Sequence, residues 1–331
     1  MKTKILILMI VGICARLFLA YFFYGNYDQE SYQIVVDIVK SGGNVYSETQ
    51  RYNYSPIWSL ILTSLSYIPF PFHFAVRSFL TVIDIIIALM IITITEKPYL
   101  GALFMVNPVS ILITGFHGQF ENLAVLPLLF AVYASQKKKG SWLIFLLGLI
   151  SILIKHITIF GVVALYFYTF KDKRKAIIAL MVTTIIFLIS FLPYLPEGRE
   201  NIINQVFFYS SSTQPYSLFY LIPFWSTPTF AIGMVLFLII YRNSSINEQI
   251  LKSFLAFLIL TPGIGEQYFV LPIIFGSIFP KFGYYLFSII TSIFLLGSKG
   301  NLHLPIPSIW ISVWIVSIIW LINSSKNFAK I

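Results

Sequence analysis

The stretch Gly115–Asn122, GFHGQFEN, sets His117, Gln119, Glu121 and Asn122 between two runs of almost pure hydrocarbon. Polar groups there are costly unless something satisfies or uses them. Other segments carry reactive groups in similar settings. Asp28, in GNYDQESYQIVVDIVKSGG, could take a proton from a substrate hydroxyl as a general base, or could simply cap a helix. Glu30 lies two residues on. Lys155 and His156, in LIKHITIF, sit at the tip of a short apolar hairpin. A lysine there needs an anion, and it binds phosphate as a point charge; otherwise it must snorkel to the interface. Glu266, Gln267 and Tyr268 fall in a turn broken by Pro262, Gly263 and Gly265, which reads equally as a plain polar turn. Arg77 and Asp84, seven residues apart in one apolar run, share a helix face. They predict an internal structural pair, or partners for polar groups on neighbouring helices.

Helical elements must hold these groups. The chain has 331 residues, 58% hydrophobic and 10% charged, with a mean hydropathy of +0.86. Apolar runs recur from end to end, which predicts an all-α, polytopic transmembrane bundle in a single domain, 1–331. About twelve candidate spans follow: 5–24, 73–95, 98–114, 122–135, 141–154, 157–170, 176–194, 226–241, 249–263, 267–280, 282–297 and 305–322. The first lacks a small-residue cleavage site and reads as a span, not a removed signal. Residues 28–43 read as an amphipathic helix in the interface, with Ile34, Val35, Ile38 and Val39 on its apolar side. The lone cysteine, Cys14, excludes an internal disulfide, and no zinc spacing occurs. The net charge of +10 is scattered between spans. Basic loops facing anionic lipid account for it better than nucleic acid does.

Charge sets the expected orientation. If Ser55–Phe70 does not cross, lysine and arginine favour one side fifteen to five, with Lys137–Lys139 and the cluster at 171–175 on the basic side. That side is cytoplasmic by the positive-inside rule. Both termini then lie in the cytoplasm. Asp28, Glu30, His117, Gln119, Glu121, Lys155, His156, Glu266 and Gln267 all fall on the outer face of the cell membrane.

Asp28, then GGNVYSETQRYNYSPIW, then NPVSILITGFHGQFEN, resembles the GT-C superfamily of polytopic glycosyltransferases that use polyprenyl-phosphate sugars. The style is that of the dolichyl-phosphate-mannose or -glucose dependent members. The likeness covers roughly 10–170, as a catalytic module, and the turn Gly265–Pro272; 171–331 agrees only as variable hydrophobic spans. The resemblance implies hexose transfer from the lipid phosphate to a lipid-linked glycan, lipid or protein acceptor, by direct displacement with inversion. It implies one carboxylate base, Asp28, with Glu30 as a possible second acid because Gln29 separates the two. Lys155 and His156 would face the donor phosphate. His117, Gln119, Glu121, Asn122, Glu266 and Gln267 would line the sugar site. No cofactor is required, although the acidic mouth could hold a divalent metal weakly. A transporter or lipid flippase is the competing class. Against it, the two halves show no repeat.

The orientation is open to a direct measurement. Single cysteines at Ser47 and Gln136 should label from opposite sides of the membrane. Labelling from the same side would place Ser55–Phe70 across it.

Overall fold

A computed structural model of the chain describes residues 2–208, 227–261, 263, 265–297 and 310–325. These residues are helical throughout, with no strand among them. The helices are α1 (Lys2–Phe22), α2 (Tyr27–Lys40), α3 (Val45–Glu48), α4 (Pro56–Leu65), α5 (Phe72–Thr95), α6 (Pro98–Met105), α7 (Pro108–Ile111), α8 (Glu121–Gln136), α9 (Ser141–Ile154), α10 (Ile159–Thr169), α11 (Lys173–Ile189), α12 (Leu195–Asn201), α13 (Thr227–Ile240), α14 (Ile246–Leu260), α15 (Leu271–Ile278), α16 (Phe282–Gly297) and α17 (Trp310–Ser325). The expected break at Pro262 and the basic residues Lys299, Lys326 and Lys330 lie outside the described residues.

The helices overlap the apolar runs, but among the described residues length and composition single out fewer than twelve as spans. Three are long and apolar enough to span: Thr3–Phe22, Phe72–Thr95 and the run Lys173–Phe207. A fourth arises if α6 and Pro108–His117, bent by 51°, act together. Length is the physical reason. The fourteen residues of α9 rise only about 21 Å, against a hydrocarbon core of about 30 Å. The ten-residue α4 is shorter still. The amphipathic α2 buries Tyr32, Val35 and Val36. It packs on α4, with Tyr32 edge-on to Trp58 at 5.4 Å. Of its expected apolar side, Val35 is covered by protein, and Ile34, Ile38 and Val39 are half-buried.

The centre of the bundle is a buried ion pair. Arg16 on α1 donates from Nε to Asp84 Oδ2 on α5 at 2.7 Å, and both side chains are fully buried. The remaining guanidinium donors reach Gly12 O (3.0 Å), Met105 O (2.5 Å) and Ser110 Oγ (2.8 Å). The other Asp84 oxygen accepts from Asn122 Nδ2 at 2.5 Å. Five segments thus meet at one pair. Gly12 makes this possible, because a Cβ there would come within 2.3 Å of Met105 O.

Arg77 therefore does not pair with Asp84. Seven residues separate them by about 10 Å along the helix axis, so each turns to a different neighbour. Arg77 donates to Ala20 O (2.9 Å) and Phe23 O (2.7 Å) at the end of α1, and to Phe116 O (3.1 Å). It satisfies terminal carbonyls that have no intrahelical partner. The second branch of the sequence expectation, polar partners on neighbouring helices, describes both residues.

Asp84→Ala leaves the Arg16 charge buried and unmet, which costs about 3–5 kcal/mol. Its melting temperature in detergent should fall well below that of the wild type. Arg16→Met combined with Asp84→Leu should regain part of the loss. A double variant less stable than Asp84→Ala would refute the pairing.

Candidate active site

The site begins at the start of α2. Gly25 has φ +100°, a left-handed conformation suited to glycine, and turns the chain away from α1. Asn26 then caps α2, its Oδ1 accepting from the Asp28 N–H at 3.1 Å. Asp28 is therefore not the cap, and its carboxylate is free for other partners. Its Oδ2 accepts from Asn26 Nδ2 (3.0 Å) and Gln119 Nε2 (2.5 Å). Glu30 points elsewhere. It is exposed and pairs with Arg51 at 2.9 Å, and Arg51 lies 3.6 Å over the Tyr27 ring.

The opening stretch GFHGQFEN meets α2 from the other side. Helix α7 runs on into one wider π turn, Leu112–His117, which Gly118 ends at φ +66°. The wide turn and left-handed glycine aim His117 and Gln119 at α2. Gln29 Nε2 donates to His117 O at 2.9 Å, and His117 Nδ1 lies 3.0 Å from Asn26 Nδ2. The far ring nitrogen, Nε2, is buried without a hydrogen-bond partner. Glu266 Oε2 stands 3.9 Å from it, beyond hydrogen-bond range. Tyr32 Oη approaches Gln119 Oε1 at 3.5 Å.

Beside this group lies a second buried pair. Lys155 Nζ donates to Glu121 Oε1 at 2.5 Å, with 3% and 0% of the side chains exposed. That burial excludes snorkelling. The ammonium faces the rings of Phe120 (4.3 Å), Tyr54 (4.8 Å) and Tyr268 (5.9 Å), each able to stabilise a cation. Lys155 interrupts the hairpin with an extended backbone, φ −153° and ψ 114°, between α9 and the turn His156–Thr158. Two hydroxyls brace the break. Ser55 Oγ donates to Leu153 O, and Thr158 Oγ1 donates to Lys155 O at 3.0 Å. Phe120 stacks on Trp58 at 3.9 Å. Tyr54, Ser55 and Trp58 thereby pack around the lysine and its neighbours.

Not every expected residue joins. Asn122 gives its amide to Asp84 and belongs to the central pair. The His156 ring lies against Phe187, 5.9 Å away on α11. Gln267 folds back over Gly265 in the turn that carries Glu266. Arg16, Asn26, Tyr32, Tyr54 and Phe120 were not singled out from the sequence. Asn26 had a readable signal: an Asx residue after glycine, with acids in the next turn, is an N-cap pattern. No group of three or more metal-ligating side chains occurs among the described residues.

Electrostatics sets Asp28 apart. Burial raises its pKa above the ordinary aspartate value, while the Lys155 charge, the bonds from Asn26 and Gln119, and Arg51 pull it back down. A carboxylate raised in the folded state favours the protonated form there. Stability from this group is thus present at low pH and lost as pH rises through the raised value. Gln119→Leu removes a bond to the ionised form. Asp28 should then titrate at higher pH still, as read by the infrared carboxylate band absent from Asp28→Asn. An unmoved band would show that Gln119 does not bond the carboxylate.

The arrangement can accept a proton at Asp28 and present a buried cation nearby. Residues 52–262 match the family model described as Glycosyltransferase family 87. No curated protein and no solved structure matches the chain. The matched range holds His117, Gln119, Glu121 and Lys155 and covers more than half of the molecule. The chain accordingly belongs to glycosyltransferase family 87 and is a sugar-transferring membrane enzyme.

Proposed function

We propose that the enzyme moves a hexose of the mannose or glucose type from a polyprenyl- or dolichyl-phosphate carrier to a lipid-linked or protein acceptor. Transfer takes place at the outer face of the cell membrane, with both termini in the cytoplasm. The reading rests on one observation above others. Both amide bonds to Asp28 fall on Oδ2, so Oδ1 is left for an incoming hydroxyl, within the electrostatic reach of Lys155.

The reaction is a single displacement. Asp28 Oδ1 takes the proton of the acceptor hydroxyl. The acceptor oxygen bonds to the anomeric carbon while the bond from that carbon to the carrier phosphate breaks, inverting configuration. The phosphate leaves with the electron pair and needs no proton. Lys155 meets its charge; the ammonium has three donors and Glu121 takes one of them. His117, Gln119 and Glu266 shape the sugar pocket, and Glu121 holds Lys155 beside it. Asn122 serves the central ion pair, and His156 packs beside the lysine. The step calls for no metal or cofactor.

Asp28→Asn is a clean test because Asn26, not Asp28, caps the helix. The variant should fold normally, yet transfer labelled sugar from polyprenyl phosphate roughly 10²–10⁴-fold more slowly. Glu30→Gln should stay active, since it removes only an exposed pair. An active Asp28→Asn beside a dead Glu30→Gln would move the base two residues along. Two active variants would overturn the single-base mechanism.

A further inference from the structure

Asn26 holds a position that neither its capping role nor the family match accounts for. Its side chain touches three groups at once. Oδ1 accepts from the Asp28 backbone N–H at 3.1 Å. Nδ2 lies 3.0 Å from Asp28 Oδ2 and 3.0 Å from His117 Nδ1. This set permits one orientation of the amide. Turned over, its oxygen would face the Asp28 carboxylate and its NH2 would face a backbone N–H. With the NH2 toward Asp28 and His117, both of its hydrogens are donated. His117 Nδ1 must then accept, so the ring is neutral and its proton sits on Nε2. That nitrogen is buried without a partner, and Glu266 Oε2 stands 3.9 Å away.

We infer that Asn26 is a positioning residue that fixes His117 as the Nε2–H tautomer, so that His117 donates a hydrogen bond to a substrate oxygen while Asp28 accepts a proton beside it. The substrate part of this inference rests on the glycosyl-transfer reading; the tautomer does not. The division of labour is chemical. One amide holds a group that must accept at the base and a group that must donate at the ring, and it keeps the two from bonding each other. A neutral donor suits an uncharged sugar hydroxyl or ring oxygen. It also leaves the positive charge of the site to Lys155.

Asn26→Asp separates this role from capping, because aspartate caps as well as asparagine. Its second oxygen would accept where the amide donated, drawing the His117 proton to Nδ1. Nitrogen-15 histidine spectra of the full-length protein in detergent report the tautomer, with His117→Gln identifying the signal among the four histidines. The wild type should show Nε2–H and Asn26→Asp should show Nδ1–H. Sugar transfer by Asn26→Asp should fall at least tenfold, but its new carboxylate also faces Asp28 and raises the Asp28 pKa, so in this variant the tautomer is the deciding readout. Asn26→Ser keeps a cap but is too short to bridge. It should lose the single Nε2–H signal and about tenfold in transfer, and it stands in if Asn26→Asp does not fold. Wild-type His117 protonated at Nδ1, or an Nε2–H signal unchanged in the variants, overturns the inference. A wild type that shows Nε2–H yet transfers no sugar sinks the transfer reading and leaves the role of Asn26 standing.

Discussion

The fold depends on how the Arg16–Asp84 charge is held inside hydrocarbon. An isolated charge there is prohibitively costly, and even a pair needs its remaining donors and acceptors met. Here they are met from α1, α5, α6, α7 and α8 together. None of these contacts survives a shift of one helix by a turn, since each uses a fixed atom of the guanidinium or carboxylate. Apolar packing holds the helices together without choosing a register; lipid tails are as apolar as the side chains. The ion pair and its amide and hydroxyl partners choose it.

The chemistry inherits that register through one short segment. Residues 110–122 use Ser110 and Asn122 to hold Asp84. Between them, His117 and Gln119 reach Asn26 and Asp28, and Glu121 reaches Lys155. The structural pair and the site therefore share a strap of polypeptide. Adjacent residues Glu121 and Asn122 point to different centres, as neighbours on a helix do. A change at the central pair would move the site with no contact to substrate.

The sequence showed where polar groups interrupt the hydrocarbon, because that signal is local. It showed Asp28, His117, Gln119, Glu121, Lys155 and Glu266 as candidates, and the structure brings these six into one neighbourhood. It did not show which atoms meet. Arg16 is 68 residues from Asp84, and Asn26 is 91 from His117. No periodicity spans such separations. Arg77 and Asp84 looked like partners because helix geometry is the only long-range rule a sequence states openly; tertiary packing gave each a better neighbour. Only three or four of the twelve expected crossings are singled out by length among the described residues, for a related reason. Hydropathy marks apolar segments but does not say whether a ten- to seventeen-residue helix traverses or dips.

The two acids nearest Lys155 sit in different environments. Glu121 has a lysine at 2.5 Å and no exposed surface, so its charge is spent and no hydroxyl can reach it. Asp28 is partly exposed, bonded only by neutral amides, and feels Lys155 from a distance. Neutral donors hold a carboxylate in place and lower its pKa less than a salt bridge at the same distance would. A raised pKa brings a carboxylate closer to the working pH, where a general base is most effective. Lys155 completes the logic. Glu121 takes one of its three donors and aromatic faces steady its charge, which leaves two N–H groups for the donor phosphate that the proposed reaction requires.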